Sequence, residues 1–189
     1  MSKLCFCVLV VSMTHGCIYK NGTSYPSAYT QAISQTEGVR PTADNIAMWI
    51  DFFSQLEPDN ERQKIPVSEG YAKNVYFSDS LMHTHRVDDI AAHFERLRNN
   101  GTSVNLRILN TIIQDQDAYV IWQMESRFKP MHQFVKSNTI GATHLRFNSE
   151  GKVILHQDFW DTGFGFYRHI PMLGYAIKAV ESRFKSSVE

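Results

Sequence analysis

Apolar and polar positions change their period near residue 100. Before it, the repeats are helical. Across residues 42–56, Ile46, Trp49, Ile50, Phe53 and Leu56 recur three and four apart, with Thr42 or Asp44 placed to cap the start and Pro58 to stop the run. Residues 58–68 predict a short second helix and turn, and 74–78 a short strand whose Val75 and Phe77 oppose Tyr76. Residues 87–99 predict another helix, capped by Asp88 or the residue before it, striped by Ile90, Phe94 and Leu97, and ended by Asn100-Gly101.

After residue 100 the period falls to two. Residues 103–114, 118–128, 132–147 and 152–161 read as four long strands, separated by short polar turns that make antiparallel neighbours. A last helix, 170–184 with Pro171 in its first turn, sets Leu173, Ala176, Ile177 and Val180 against Lys178, Glu181 and Lys185. Helices gathered early and strands gathered late predict an α+β fold, with helices packed on a strongly curved antiparallel sheet. A long twisted sheet curls, and its concave side encloses a cavity.

Composition narrows what such a cavity serves. The 189 residues suit one domain with a tail, and 19 basic residues balance 19 acidic ones, so the electrostatic footprint of a nucleic-acid binder is missing. Cys5, Cys7 and Cys17 all precede the predicted fold, which is therefore held by packing without disulfides. Residues 1–17 carry a lysine, an apolar run from Leu4 to Met13 and Gly16-Cys17, the pattern of an export signal or of a lipoprotein leader with Cys17 as the lipidated residue and membrane tether. That reading places the protein in a bacterial periplasm or on a membrane. The alternative, a leader with no targeting role, places it in the cytoplasm. Residues 18–41 have no sustained period and read as a flexible tether, with the domain proper at 42–189. No Walker motif, dinucleotide fingerprint or nucleophile elbow occurs, and no cofactor is implied. His83-x-His85 fixes no third ligand by spacing, so no metal site is assigned.

Four stretches together resemble a known family: Trp49-Ile50-Asp51-Phe52-Phe53-Ser54-Gln55-Leu56, Val75-Tyr76-Phe77-Ser78-Asp79, Thr143-His144-Leu145-Arg146-Phe147-Asn148, and His156-Gln157-Asp158-Phe159-Trp160-Asp161. Their order is similar to that of the SnoaL-like branch of the nuclear-transport-factor-2 superfamily, which includes ketosteroid isomerases, limonene epoxide hydrolases and polyketide cyclases. The resemblance implies a cone-shaped barrel and a homodimer built on the outer sheet face. It also sets Asp79 at the position of the isomerases' general base. The places of their two oxyanion donors hold phenylalanine, near Phe52 or Phe53, and Thr143, which departs from the isomerase pattern.

Alternation along the last strand brings His156, Asp158 and Trp160 to one face, which by the resemblance looks into the pocket. A carboxylate beside an indole in a dry cone has its charged form disfavoured, which suits general acid or base work. Asp79, Asp158 and His156 are accordingly the expected catalytic residues, and Trp160, Thr143, Tyr76, Trp49 and Phe53 the expected ligand-binding ones. The chemistry these imply is a cofactor-independent isomerisation, cyclisation or hydration of a small apolar molecule. Two alternatives use the same fold without turnover: a carrier of an apolar ligand, and a dimerising interaction module.

Overall fold

A computed structural model describes residues 24–54, 56 and 65–184 of the chain. The expected leader, and most of the short helix expected at 58–68, lie outside the described residues.

The stretch expected to be an aperiodic tether contains a helix, α1 (Tyr25–Gln35). Ser24 caps it, its Oγ accepting from the Ser27 amide at 3.4 Å. Its inward face is Ala28, Tyr29, Ala32 and Ile33, packed on Tyr76 and Leu155. Two alanines and a tyrosine make a weak stripe in a Ser- and Gln-rich segment, which is why hydropathy alone misses it. Helix α2 (Ala43–Ser54) starts from a reciprocal cap. The Asn45 amide donates to Thr42 Oγ1 and the Thr42 amide to Asn45 Oδ1, at 3.2 and 2.9 Å.

A single turn, α3 (Val67–Gly70), leads into β1 (Tyr71–Ser78) and the edge strand β2 (His83–Arg86). Helix α4 (Val87–Asn99) follows with Arg86 at its cap position and no side-chain cap bond. Asp88, expected as the cap, sits with Asp89 in the first turn, where both complement the positive helix end. The helix ends as expected, Asn100 closing it before Gly101 at φ +69°. Strands β3 (Ser103–Gln114), β4 (Asp117–Phe128), β5 (Val135–Phe147) and β6 (Val153–Trp160) complete one open sheet in the order β2-β1-β6-β5-β4-β3. The sheet is mixed: the four long strands pair antiparallel, but β1 joins β6 in parallel. That pairing joins segments about eighty residues apart, and no local turn announces it.

The concave face carries the main core. Val75 and Phe77 of β1, Ala118, Val120 and Trp122 of β4, and Leu145 and Phe147 of β5 meet Ile46, Trp49 and Phe52 of α2 and Ile90 and Phe94 of α4. Phe52 and Phe94 pack edge to face with centroids 4.9 Å apart. Fully burying one such side chain contributes roughly 1.5–3 kcal/mol.

Past β6, Asp161 stops the strand and caps α5 (Thr162–Gly165), accepting from the Phe164 amide at 2.9 Å. A 3-10 turn (Tyr167–His169) precedes α6 (Leu173–Glu181), which begins later than Pro171 suggests because Met172 turns the chain at φ +65°. Gly174 lets α6 cross this turn closely, since a Cβ there would lie 1.9 Å from the Arg168 carbonyl oxygen. The stripe expected on this helix faces solvent: Leu173 and Val180 are 42% and 54% exposed.

Candidate active site

The curl of the sheet leaves a cavity of about 330 Å³ between its concave face and helices α2 and α4. Trp49 and Phe53 wall it from α2, His93 and Phe94 from α4, Trp122 from β4, and Thr143, Asp158 and Trp160 from β5 and β6. Gly141 makes room for this wall, because a Cβ there would stand 2.4 Å from the Trp122 ring. Leu81, Lys129, Pro130 and Phe166 mark the mouth.

Strand alternation brings His156, Asp158 and Trp160 to the concave side together, but at different depths. His156 is wholly buried behind Asp158, its Nε2 2.9 Å from Asp158 Oδ1 and its Nδ1 2.9 Å from the Tyr71 hydroxyl. A neutral imidazole satisfies both contacts when Nε2–H donates to the carboxylate and Nδ1 accepts from Tyr71. Burial, then the charge of Asp158, holds the Tyr71 hydroxyl protonated, well above the usual phenol range. Thr143 Oγ1 also donates to Asp158 Oδ1, at 2.5 Å, and itself accepts from Trp122 Nε1 at 2.8 Å. Both donors use Oδ1, so among the described residues Asp158 Oδ2 has no protein donor.

Asp79 lies at the end of β1, also on the cavity wall. Its Oδ1 accepts from the amides of Leu81 and Met82, at 2.9 and 2.7 Å, closing a turn in which Ser80 adopts φ +69°. Its Oδ2 lies 2.8 Å from His93 Nε2. Burial pushes the Asp79 carboxyl up, but the hydrogen bond and charge of His93 and the two amides outweigh it and hold the group below its ordinary value. The turn is tied to β6: Trp160 Nε1 donates to the Asp79 carbonyl at 2.9 Å, and Ser80 Oγ to the Asp158 carbonyl at 3.1 Å.

Of the expected ligand-binding residues, Trp49, Phe53, Thr143 and Trp160 lie on the cavity wall. Tyr76 does not. It points to the convex face, where its hydroxyl donates to Gln157 Oε1 at 2.8 Å beneath α1. The expectation fails because the second half of β1, residues 75–78, is buried on both sides, so apolarity no longer marks the concave one. His83 and His85 lie on edge strand β2 with rings 5.0 Å apart, and no group of three side chains suited to a metal occurs among the described residues. Sequence reasoning missed His93 as a partner of Asp79, although Ile90, His93 and Leu97 share one helical face with Phe94. The parts of Tyr71 and Trp122 rest on contacts between distant segments, and no local pattern marks them.

The convex face carries a second polar cluster. His144 Nδ1 lies 2.8 Å from the Tyr29 hydroxyl of α1, and its Nε2 2.7 Å from Asp117 Oδ1. Arg146 Nε donates to the same Asp117 oxygen at 2.5 Å, while one Arg146 terminal nitrogen donates to the carbonyls of Ile33 and Thr36 at the end of α1. This fastens α1 over part of the face on which a dimer is expected.

No family model matches the chain, and no curated protein sequence matches it. Solved structures do. An LEH-like epoxide hydrolase of M. tuberculosis superposes with a TM-score of 0.52 at 10% identity, covering 77% of this chain and 94% of that one. A SnoaL-like polyketide cyclase, so described, from Shewanella denitrificans OS-217 gives 0.52 at 14% identity, over 65% and 94%. A protein of ketosteroid isomerase-like fold from Catenulispora acidiphila gives 0.52 at 13%, over 66% and 91%. The chain therefore has the nuclear-transport-factor-2-like, SnoaL-like fold: an open α+β cone with a C-terminal helix. At such identities the likeness carries the fold and not the activity.

Proposed function

We propose that the protein is a small-molecule enzyme that moves protons on an apolar substrate without a cofactor, as an isomerase, cyclase or hydratase. One observation carries this reading: two carboxylates, each backed by an imidazole, open onto a single cavity walled mainly by apolar side chains, many of them aromatic. Asp158 is the base. His156 and Thr143 fix its Oδ1 and leave Oδ2 toward the cavity to take a proton from the substrate. Asp79, held ionised, orients His93, the second proton-handling group on the wall. Trp49, Phe53, Trp122 and Trp160 exclude water and hold the apolar body of the substrate.

The test is incubation of the protein with a metabolite extract, followed by untargeted mass spectrometry of wild type against Asp158→Asn. A compound consumed by the wild type and turned over at least ~100-fold more slowly by the variant supports the reading. The aromatic wall also fits a carrier. If nothing is consumed and one compound stays bound to both proteins, the carrier reading replaces the enzyme.

A further inference from the structure

The two ends of the cone differ in character. At the narrow end the turns are Asp115-Gln116-Asp117 and Asn148-Ser149-Glu150-Gly151. At the mouth end, exposed apolar side chains come from four separate segments: Tyr25 at the start of α1, Leu81 in the β1–β2 turn, Met131 and Phe134 after β4, and Phe164, Met172 and Tyr175 around α5 and α6. Met172 and Tyr175 are 87% and 80% exposed. Cations are interleaved with them. The Arg127 guanidinium lies 3.6 Å over the Phe134 ring and that of Arg168 4.4 Å over Phe164, and residues 127–136 hold Arg127, Lys129 and Lys136 with no acid. On and after α6, Lys178 and Arg183 flank the exposed Leu173 and Val180, with Glu181 the one acid of the helix. Aromatic and aliphatic tips set among basic residues are the make-up of a surface that rests in a bilayer interface.

We propose that the mouth end docks on a lipid bilayer bearing anionic headgroups, with α6 lying in the interface and the cavity opening toward the lipid. Two observations favour lipid over a second copy of the chain. The described chain begins at this end, since Tyr25 Oη accepts from Gln157 Nε2 at 2.7 Å beside Ser80; the preceding residues include the apolar run Leu4–Met13 and Cys17. A two-fold contact between copies would set this basic patch against itself, whereas anionic headgroups neutralise it. A lipid on Cys17 would add a second anchor to the same surface. An apolar compound would then reach the cavity from the bilayer, and the docking itself does not depend on whether the cavity is catalytic.

Cosedimentation of the full-length chain with phosphatidylcholine vesicles, with and without phosphatidylglycerol, tests this. The wild type should bind the anionic vesicles, and both Leu173→Asp/Val180→Asp and Lys178→Glu/Arg183→Glu should weaken binding by about tenfold or more. These side chains are solvent-facing, and a circular dichroism melt should match wild type. Both variants binding as wild type does would overturn the proposal, because the N-terminal apolar run would then carry the binding alone. A wild-type dimer that Leu173→Asp/Val180→Asp dissociates without loss of vesicle binding would overturn it too. Hydrogen exchange on the wild type gives a check free of mutation: amides of residues 164–184 should slow on adding anionic vesicles, and unchanged exchange there contradicts the docking.

Discussion

The concave and convex faces of the sheet carry the same three groups in the same connection. On the concave side, Tyr71 meets His156 Nδ1 and His156 Nε2 meets Asp158; on the convex side, Tyr29 meets His144 Nδ1 and His144 Nε2 meets Asp117. Their surroundings differ in the group that faces the carboxylate. Asp117 is met by the Arg146 guanidinium, which also binds the end of α1, so its charge is spent on holding a helix. Asp158 receives a hydroxyl instead of a cation, and the cavity lies beyond it. A tyrosine–histidine–aspartate trio is thus not a site by itself. What stands opposite the last oxygen decides whether the trio can serve a substrate or a fold.

The largest expected effect separates the two trios by activity. Asp158→Asn should slow turnover by about 10²–10⁴-fold with little loss of stability, while Asp117→Asn should leave turnover within a few-fold. Next comes stability on the convex side. Arg146→Ala strips a part-buried ion pair and two carbonyl contacts, and should cost about 2–3 kcal/mol in denaturant unfolding, with α1 losing hydrogen-exchange protection first.

Acid should expose the same difference in two stages. Burial lowers the His144 pKa below its usual 6.5 against the opposing pull of Asp117, so the unfolded chain takes the proton first. That contribution is complete above about 6.5 and is lost as pH falls through the depressed folded value. Burial pushes the Asp117 and Asp79 carboxyls up, but their hydrogen-bonding partners outweigh it and lower both. Their contribution is present above the usual 3.8 and is lost below it, as pH falls through the folded values. Melting temperatures across pH should therefore drop in two steps, and His144→Gln should shrink the first, the remainder coming from His83 and His169, which burial also lowers. The smallest effect is Tyr76→Phe, which gives up one hydrogen bond to Gln157 for about 1 kcal/mol and should leave any cavity ligand's affinity unchanged.

Much of the concave face was legible in the sequence, because period-two alternation on β6 sets His156, Asp158 and Trp160 together whatever the strand pairs with. Helix α4 was legible too, its stripe being strong and its end marked by Asn100-Gly101. The convex face was not. Its covering helix is built on alanine and tyrosine, so residues 25–35 show too little contrast to separate from a tether, and once α1 covers β1 the placing of Tyr76 cannot follow from apolarity. The parallel entry of β1 beside β6 and the pairing of Tyr71 with His156 depend on long-range contacts that no local pattern encodes.

The central claim is that the concave trio reacts and the convex one only holds. Its most direct measurement is the turnover of one substrate, found by the extract screen, with Asp158→Asn and Asp117→Asn side by side at neutral pH. The account predicts that the first variant is nearly inactive and the second close to wild type. Equal activity in both variants, or loss confined to Asp117→Asn, would contradict it.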